Sequence, residues 1–460
     1  MKTLISTLLL SQAFSTVVLA KESMADQVKK FNWNGIEVVY LKDNRFPVYN
    51  LGVYFADGSL GDLNTEKGLT NYAFNLIDSG TKDLTQSQIL EKLEYMATTV
   101  SANVTHEYTT VNISGLTKDI DQSIPFICQV IKEANYPKAV VDRELALAKN
   151  NIESLRTNHR QLISRISREE SLANSPYSYP VEGKIKDFKS YTGAKMRERV
   201  NYFLNNVKKR IYITGPEEAL KMEKYLTTNC GLKGNANDFV REIKDPKIVD
   251  LKPRVIFAPV SDANQVQFFA GRIMNNNELD KSVLDAMTAE LLGGGFTSKL
   301  NRELRVKRGL TYGAGAYIAA QKQYGRIGIS TFTKNQTLEE LVNVANQTVI
   351  NVAANVSDED LNNTISGLKG SHPFGFEKSS AFLGQLIYLD HIGRPYSELF
   401  DFNQKLDQYK AQDVAQRVND MFSFKKATIV ILGDKSLEAR VKKLAKNYGQ
   451  FKVVNINNYL

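Results

Sequence analysis

Two hydrophobic rhythms alternate along this chain. At 36–40 and 48–55 the apolar residues come in short β-branched runs or at every second position, which predicts strands. At 68–77 the spacing changes: Leu69, Tyr72, Ala73, Leu76 and Ile77 fall three to four apart, the stripe of an amphipathic helix. A second helix is expected at 86–96, strands at 98–104 and 109–114, and long helices at 120–134 and 138–156. The pattern then recurs. Val200-Asn201-Tyr202-Phe203, followed by a basic turn and Arg210-Ile211-Tyr212-Ile213-Thr214-Gly215, has a counterpart in Val418-Asn419-Asp420-Met421 and Thr428-Ile429-Val430-Ile431-Leu432-Gly433. Each copy continues into an amphipathic helix, at 217–226 and 437–448, and reads as the closing strand and last helix of a domain. The polar stretch between them, with Asn237, Pro246 and Pro253, supplies a linker at 236–253. The expected architecture is α+β: two homologous domains, 21–235 and 254–460, each an antiparallel sheet with helices packed on one face.

A chain of 460 residues exceeds what one hydrophobic core usually organises, in keeping with two domains. Its 42% hydrophobic and 24% charged residues are those of an ordinary globular protein. The net charge of +9 does not make it a nucleic-acid binder: 59 basic residues are mixed with 50 acidic ones, without an Arg-rich arm or an aromatic-basic platform. Residues 1–20 stand apart. Lys2, an apolar and small-residue run over 4–18 and the ending Val18-Leu19-Ala20 have the layout of a cleavable export signal, with cleavage expected after Ala20. Ser6, Ser11, Gln12 and Ser15 interrupt the run, which is short for a membrane anchor.

Two cysteines, Cys128 and Cys230, admit two readings, a disulfide in an oxidising compartment or two buried free thiols. His106, His159, His372 and His391 are scattered, with no pair at ligand spacing. No zinc site of the chain's own is expected.

Positions 68–81 read Gly-Leu-Thr-Asn-Tyr-Ala-Phe-Asn-Leu-Ile-Asp-Ser-Gly-Thr. Taken alone, the two asparagines are ordinary solvated helix residues. The frame, however, resembles the zinc helix of the pitrilysin/insulinase-type metallopeptidases, in which H-x-x-E-H places two His ligands and a Glu general base on one helix face. Asn71, Phe74 and Asn75 occupy those three slots here. A carboxamide is a poor zinc ligand beside imidazole, and a phenyl ring cannot take a proton from water. The third ligand of the family would fall on the helix at 138–156, where Glu144 and Glu153 both qualify and neither is assigned.

A second motif is intact. Gly293-Gly294-Gly295-Phe296-Thr297-Ser298 leads through Leu304-Arg305 to Gly309-Leu310-Thr311-Tyr312. This resembles the family's C-domain motif, in which an Arg and a Tyr seven positions apart bind substrate. The resemblance therefore implies substrate binding at Arg305 and Tyr312, with Gly293, Gly294 and Gly295 allowing close backbone approach and Thr297 and Ser298 capping the helix. It also implies two α/β-roll domains forming a clamshell with a second chain, and strand 98–104 as an edge able to pair with extended peptide. The reading it supports is a non-catalytic, substrate-binding subunit of a periplasmic heterodimeric zinc peptidase. The partner, an H-x-x-E-H paralogue, would carry the zinc. The alternative is an inert scaffold or peptide-binding protein of the same fold.

Overall fold

The computed structural model describes residues 27–235, 237–242, 252–275, 278 and 281–460. The signal-like segment 1–20 and most of the expected linker lie outside the described residues.

Two six-stranded sheets organise the chain. The first contains β1 (Val28–Trp33), β2 (Ile36–Lys42), β3 (Val48–Phe55), β4 (Thr99–Val104), β5 (Thr109–Leu116) and β6 (Lys209–Gly215), in the order β1-β2-β6-β3-β5-β4. The second contains β7 (Arg254–Val260), β8 (Gln265–Asn275), β9 (Ala314–Ala320), β10 (Tyr324–Lys334), β11 (Thr428–Asp434) and β12 (Gln450–Val453), in the order β12-β7-β11-β8-β10-β9. Five strands correspond in spatial order, β2-β6-β3-β5-β4 with β7-β11-β8-β10-β9, and the repeat read at 200–215 and 418–433 ends on the equivalent strands β6 and β11.

Both sheets are mixed rather than wholly antiparallel. β6 runs parallel to β2, and β11 parallel to β7, while each lies antiparallel to its other neighbour. A hairpin forces antiparallel pairing, but β6 and β11 arrive after long helical connections that leave both directions open. The edge strands show the same logic. β1 joins β2 through the two-residue turn Asn34-Gly35, both at positive φ (48° and 84°), and is antiparallel. β12 occupies the matching edge from the other end of the chain and runs parallel to β7.

In the first half the helices are α1 (Leu69–Asn75), α2 (Gln86–Tyr95), α3 (Ile120–Glu133), α4 (Lys138–Ser154), α5 (His159–Ser171), α6 (Gly193–Asn206) and α7 (Met222–Thr228). The second half has α8 (Ser282–Ala289), α9 (Leu338–Ala354), α10 (Asp358–Ser371), α11 (Ser379–Ile392), the short α12 (Ser397–Phe400) and α13 (Phe402–Leu406), α14 (Ala411–Phe422) and α15 (Glu438–Ala445). One face of each sheet packs on helices of its own half. The opposite faces are covered by an exchange. α11 lays Phe382, Leu383, Leu386 and Ile387 on Val39, Leu41 and Tyr212 of the first sheet. α5 lays Leu162, Ile163 and Ile166 on Ile256, Phe269, Val430 and Leu432 of the second. The central strands are thus buried on both sides, which is why Ile429-Val430-Ile431-Leu432 is continuously apolar rather than alternating.

Cys128 of α3 and Cys230 after α7 form a disulfide with Cα atoms 4.5 Å apart, which decides between the two readings of these residues. Among the described residues no helix is long and apolar enough to cross a membrane.

Candidate functional site

Helix α1 starts from Gly68 at φ 96°, a left-handed conformation that favours glycine. The buried Asp62 carboxylate receives the Gly68 and Thr70 backbone N–H groups at 2.9 and 3.2 Å, anchoring the first turn. Burial pushes this carboxyl up to about 6, against the pull of Arg199 and the Thr70 hydroxyl.

On the outer side of α1 the Asn75 amide donates to the Asn71 carbonyl (2.8 Å) and to its side-chain oxygen (3.1 Å). The two residues at the family's ligand spacing therefore satisfy one another. Phe74 does not share their face. It is 1% exposed and packs between Phe55 and Phe203, with ring centroids 5.8 and 4.9 Å away. A phenyl ring gains about 1.5–3 kcal/mol from such burial, and so turns inward where a catalytic carboxylate would turn out. Glu144 is engaged by Arg143 (3.0 Å) and Glu153 lies 3.8 Å from Lys149. Among the described residues no three His, Cys, Asp or Glu side chains are grouped to hold a metal. Two mutually bonded carboxamides and a buried phenyl ring do not make a donor set for zinc.

The second motif is built with care. At Gly293 the chain passes so close to β9 that a Cβ would collide with the Ala316 nitrogen, whereas Gly294 and Gly295 face only the flexible Glu290 side chain. One glycine of the three is thus sterically required. Asn301, which the sequence reading passed over, clasps the segment. Its amide donates to the carbonyls of Gly295 and Ala314, both at 2.8 Å, and its oxygen accepts from Ala314 N at 2.9 Å. The expected cap by Thr297 and Ser298 is not formed. Ser298 accepts from Asn301 instead (3.1 Å), and the helical turn Asn301–Val306 begins without a side-chain cap.

That turn ends on a left-handed glycine. Gly309 at φ 61° donates to Arg305 O (3.0 Å) and Leu310 N to Leu304 O (2.8 Å). Thr333 then holds the Leu310 carbonyl (2.7 Å) and Thr331 reaches the Thr311 hydroxyl (3.2 Å), which aims Tyr312 outward just before β9. Tyr312 is 80% exposed, with Phe332 its ring neighbour at 6.4 Å. The Arg305 guanidinium lies 4.7 Å above the ring of Phe296, itself 76% exposed. Among the described residues neither Arg305 nor Tyr312 has a side-chain hydrogen bond. Tyr312 stands at the rim of a cleft of about 650 Å³ between α5 and the face of β8, β9 and β10, and Arg305 is not part of its lining.

The expected edge strand is indeed at the edge: β4 ends the first sheet. A second cleft, of about 370 Å³, runs over Thr99, Ser101 and Asn103 of β4 towards α11. Sequence reasoning also missed a buried network joining the halves. Nε2 of His391 lies 3.2 Å from Glu107, Nδ1 of His391 lies 3.0 Å from the Tyr54 hydroxyl, and Tyr177 donates to Glu107 at 2.7 Å. Its members are up to 337 positions apart, so no local signal marks them.

Comparison with known proteins agrees with this geometry. Residues 37–183 match the insulinase (peptidase family M16) model and residues 190–368 the peptidase M16 inactive domain. The chain belongs to the M16 family. It is similar to the "non-peptidase homolog YmxG" of Helicobacter pylori, 21% identical over 434 residues, covering 91% of this chain and 95% of the relative. It is also similar to an "uncharacterized zinc protease" of Rickettsia bellii, 20% identical over 384 residues, covering 83% and 91%. Among solved structures, the peptidase M16 inactive domain from Pseudomonas fluorescens superposes with a TM-score of 0.78 at 18% identity, over 89% of this chain and 98% of that one. The first half of the periplasmic protease PqqL from Escherichia coli gives 0.70 at 15% identity, over 94% and 99%, and the match covers 49% of whole PqqL. At such identities the structural likeness establishes the M16 two-domain fold.

Proposed function

We propose that this chain is the non-catalytic, substrate-binding subunit of an exported heterodimeric zinc peptidase, supplying Arg305 and Tyr312 to an active site whose H-x-x-E-H and zinc belong to a paralogous partner. The observation that carries the reading is the contrast between the two motifs. The ligand positions on α1 satisfy one another, and Phe74 is locked in the core. Arg305 and Tyr312 are held in place by a dedicated clasp, yet they serve no hydrogen bond within the described chain. A guanidinium and a phenol presented this way suit a substrate carbonyl on which charge develops.

The half-length match to PqqL supports pairing with a second chain of similar size, and the naming of YmxG as a non-peptidase supports inertness of the chain alone. The disulfide supports residence in an oxidising compartment such as the periplasm. A stable pairing should bury more than about 1,000 Å².

The test is turnover of the reconstituted heterodimer on a quenched peptide. Arg305→Ala or Tyr312→Phe should lower kcat roughly a hundredfold to a thousandfold, about 2.7 to 4 kcal/mol, while dimer formation and melting temperature stay put. Unchanged kcat in both variants would refute the role and favour the scaffold.

A further inference from the structure

Just beyond the lining of the cleft beside Tyr312 stand two arginines without an ion pair among the described residues, the half-buried Arg326 of β10 and the exposed Arg168 of α5. Along β10 the register sets Ser330 opposite Phe269 of β8 and Gly315 of β9. Side chains on a strand alternate, so Arg326, Gly328, Ser330 and Phe332 share one face, and Ser330 and Phe332 line the cleft. The Arg326 guanidinium lies 6.0 Å from the ring of Tyr317, another cleft residue. Between Arg326 and Ser330 the floor stays low, because position 328 is a glycine whose Cβ would run into Phe269 and Tyr317. The opposite wall is α5, which contributes Arg160, Ser164 and Ser167 at helical spacing, with Arg168 next in line. The groove thus runs from Tyr312 at one end towards Arg326 and Arg168 at the other.

Neither Arg326 nor Arg168 forms a side-chain ion pair or hydrogen bond among the described residues. Burial lowers the Arg326 pKa, Tyr317 counters this, and Arg168 adds a like charge. The carboxylate that reaches the neighbouring Tyr324, Glu107, is already held by Tyr177 and His391. Other partly buried arginines do have a carboxylate: Arg199 has Asp57, Arg417 has Asp285 and Arg165 has Glu182. A half-buried guanidinium without a counter-ion costs free energy that an arriving carboxylate would recover through charge-assisted hydrogen bonds.

We propose that this cleft binds a peptide through a carboxylate, with Arg326 and Arg168 receiving its charge and the hydroxyl and amide groups of Ser164, Ser330 and Gln267 meeting its backbone. The proposal rests on the reading of Tyr312 as a substrate-binding residue and adds the class of peptide preferred. A carboxylate can come from a C-terminus or from an acidic side chain, and the probes separate the two.

The experiment uses this chain alone and fluorescence anisotropy of three labelled peptides of one neutral sequence. One ends in a free carboxylate, one is C-terminally amidated, and one is amidated with a single internal Glu. The free acid should bind at least about tenfold more tightly than its amide, the scale of a charge-assisted bond, and Arg326→Gln or Arg168→Gln should erase that difference. Recovery of affinity by the Glu-bearing amide would identify an acidic side chain as sufficient, and its failure a C-terminus as required. Arg326→Met should leave the melting temperature unchanged or higher, since an unpaired charge is removed; an arginine retained for structure would lower it. Equal affinity for acid and amide, or a preference that survives both glutamine variants, would overturn the proposal. Because no partner is present, that failure leaves the turnover test of Arg305 and Tyr312 untouched.

Discussion

The two halves of this molecule share strand order, yet they use the equivalent stretch before the edge strand in opposite ways. In the first half α1 packs beside β4, and its polar side chains find partners nearby: Asn75 donates to Asn71 and the Thr70 hydroxyl to Asp62. In the second half the segment 290–312 packs beside β9 and is clasped by Asn301, but its outward side chains, Phe296, Val306 and Tyr312, are 72–80% exposed. Side chains held outward by a clasped backbone and without partners of their own are what the proposed substrate-binding role requires. The lesson is that two equivalent segments of one duplicated fold can differ in where their hydrogen bonds end, and the proposed division of roles rests on that difference.

The strongest way to break this comparison is to restore the missing acid. Phe74→Glu removes a core aromatic, which costs about 3–5 kcal/mol as a cavity, and sets a carboxylate between Phe55 and Phe203 with no partner. We expect the first half to be unfolded or nearly so at room temperature, measured by circular dichroism. If the variant is native-like and its new carboxyl reaches the outer face of α1, the site is less committed to inertness than its packing indicates.

Next in size is the disulfide, present only in the first half. It joins residues 102 positions apart, and replacing both cysteines by serine should cost about 2–5 kcal/mol. The exchanged helices sharpen the expectation. Because α11 covers the first sheet and α5 the second, loosening one half uncovers the other. Calorimetry should show a single transition moved downward, and two separated transitions would mean that the exchange does not couple the halves.

Smaller again is the network between the halves. Burial pushes the Glu107 carboxyl up, but bonds from His391 and Tyr177 outweigh it and hold the group below its ordinary value of 4.5. A lowered pKa means stability that is present above the ordinary value and lost as pH falls through the folded one. Glu107→Gln should therefore cost about 1–3 kcal/mol near neutral pH, and the gap to the natural protein should close as the solution is made more acidic than about 4. A gap that stays constant across that range would assign the loss to shape rather than charge.

Much of this was legible in the sequence, and the exceptions have physical causes. The strand runs, α1 with its three altered positions, the Arg305 and Tyr312 motif and the repeat ending on β6 and β11 are all local patterns. The β1 edge strand went unread because Val28-Lys29-Lys30-Phe31-Asn32 lacks clean alternation, although Asn34-Gly35 is a strong hairpin signal. The parallel placement of β6 and the helix exchange depend on contacts hundreds of positions apart. The turning of Phe74 into the core follows from its neighbours Phe55 and Phe203 rather than from the helix itself.

The smallest expected effect is the sharpest control on the comparison. Asn71 and Asn75 meet each other at the surface of α1, so Asn71→Ala or Asn75→Ala removes a bond that water replaces. Exposed helix positions respond within about 0.5 kcal/mol, and alanine's helix propensity offsets part of even that. Turnover of the reconstituted heterodimer should not move, in contrast to the large fall expected for Arg305→Ala. The decisive measurement is kcat for the four single variants Asn71→Ala, Asn75→Ala, Arg305→Ala and Tyr312→Phe on one peptide. A fall for the asparagine variants as deep as for Arg305→Ala would show that the altered zinc helix still takes part in the chemistry. The difference between the two halves would then lie in which groups they present rather than in whether they act.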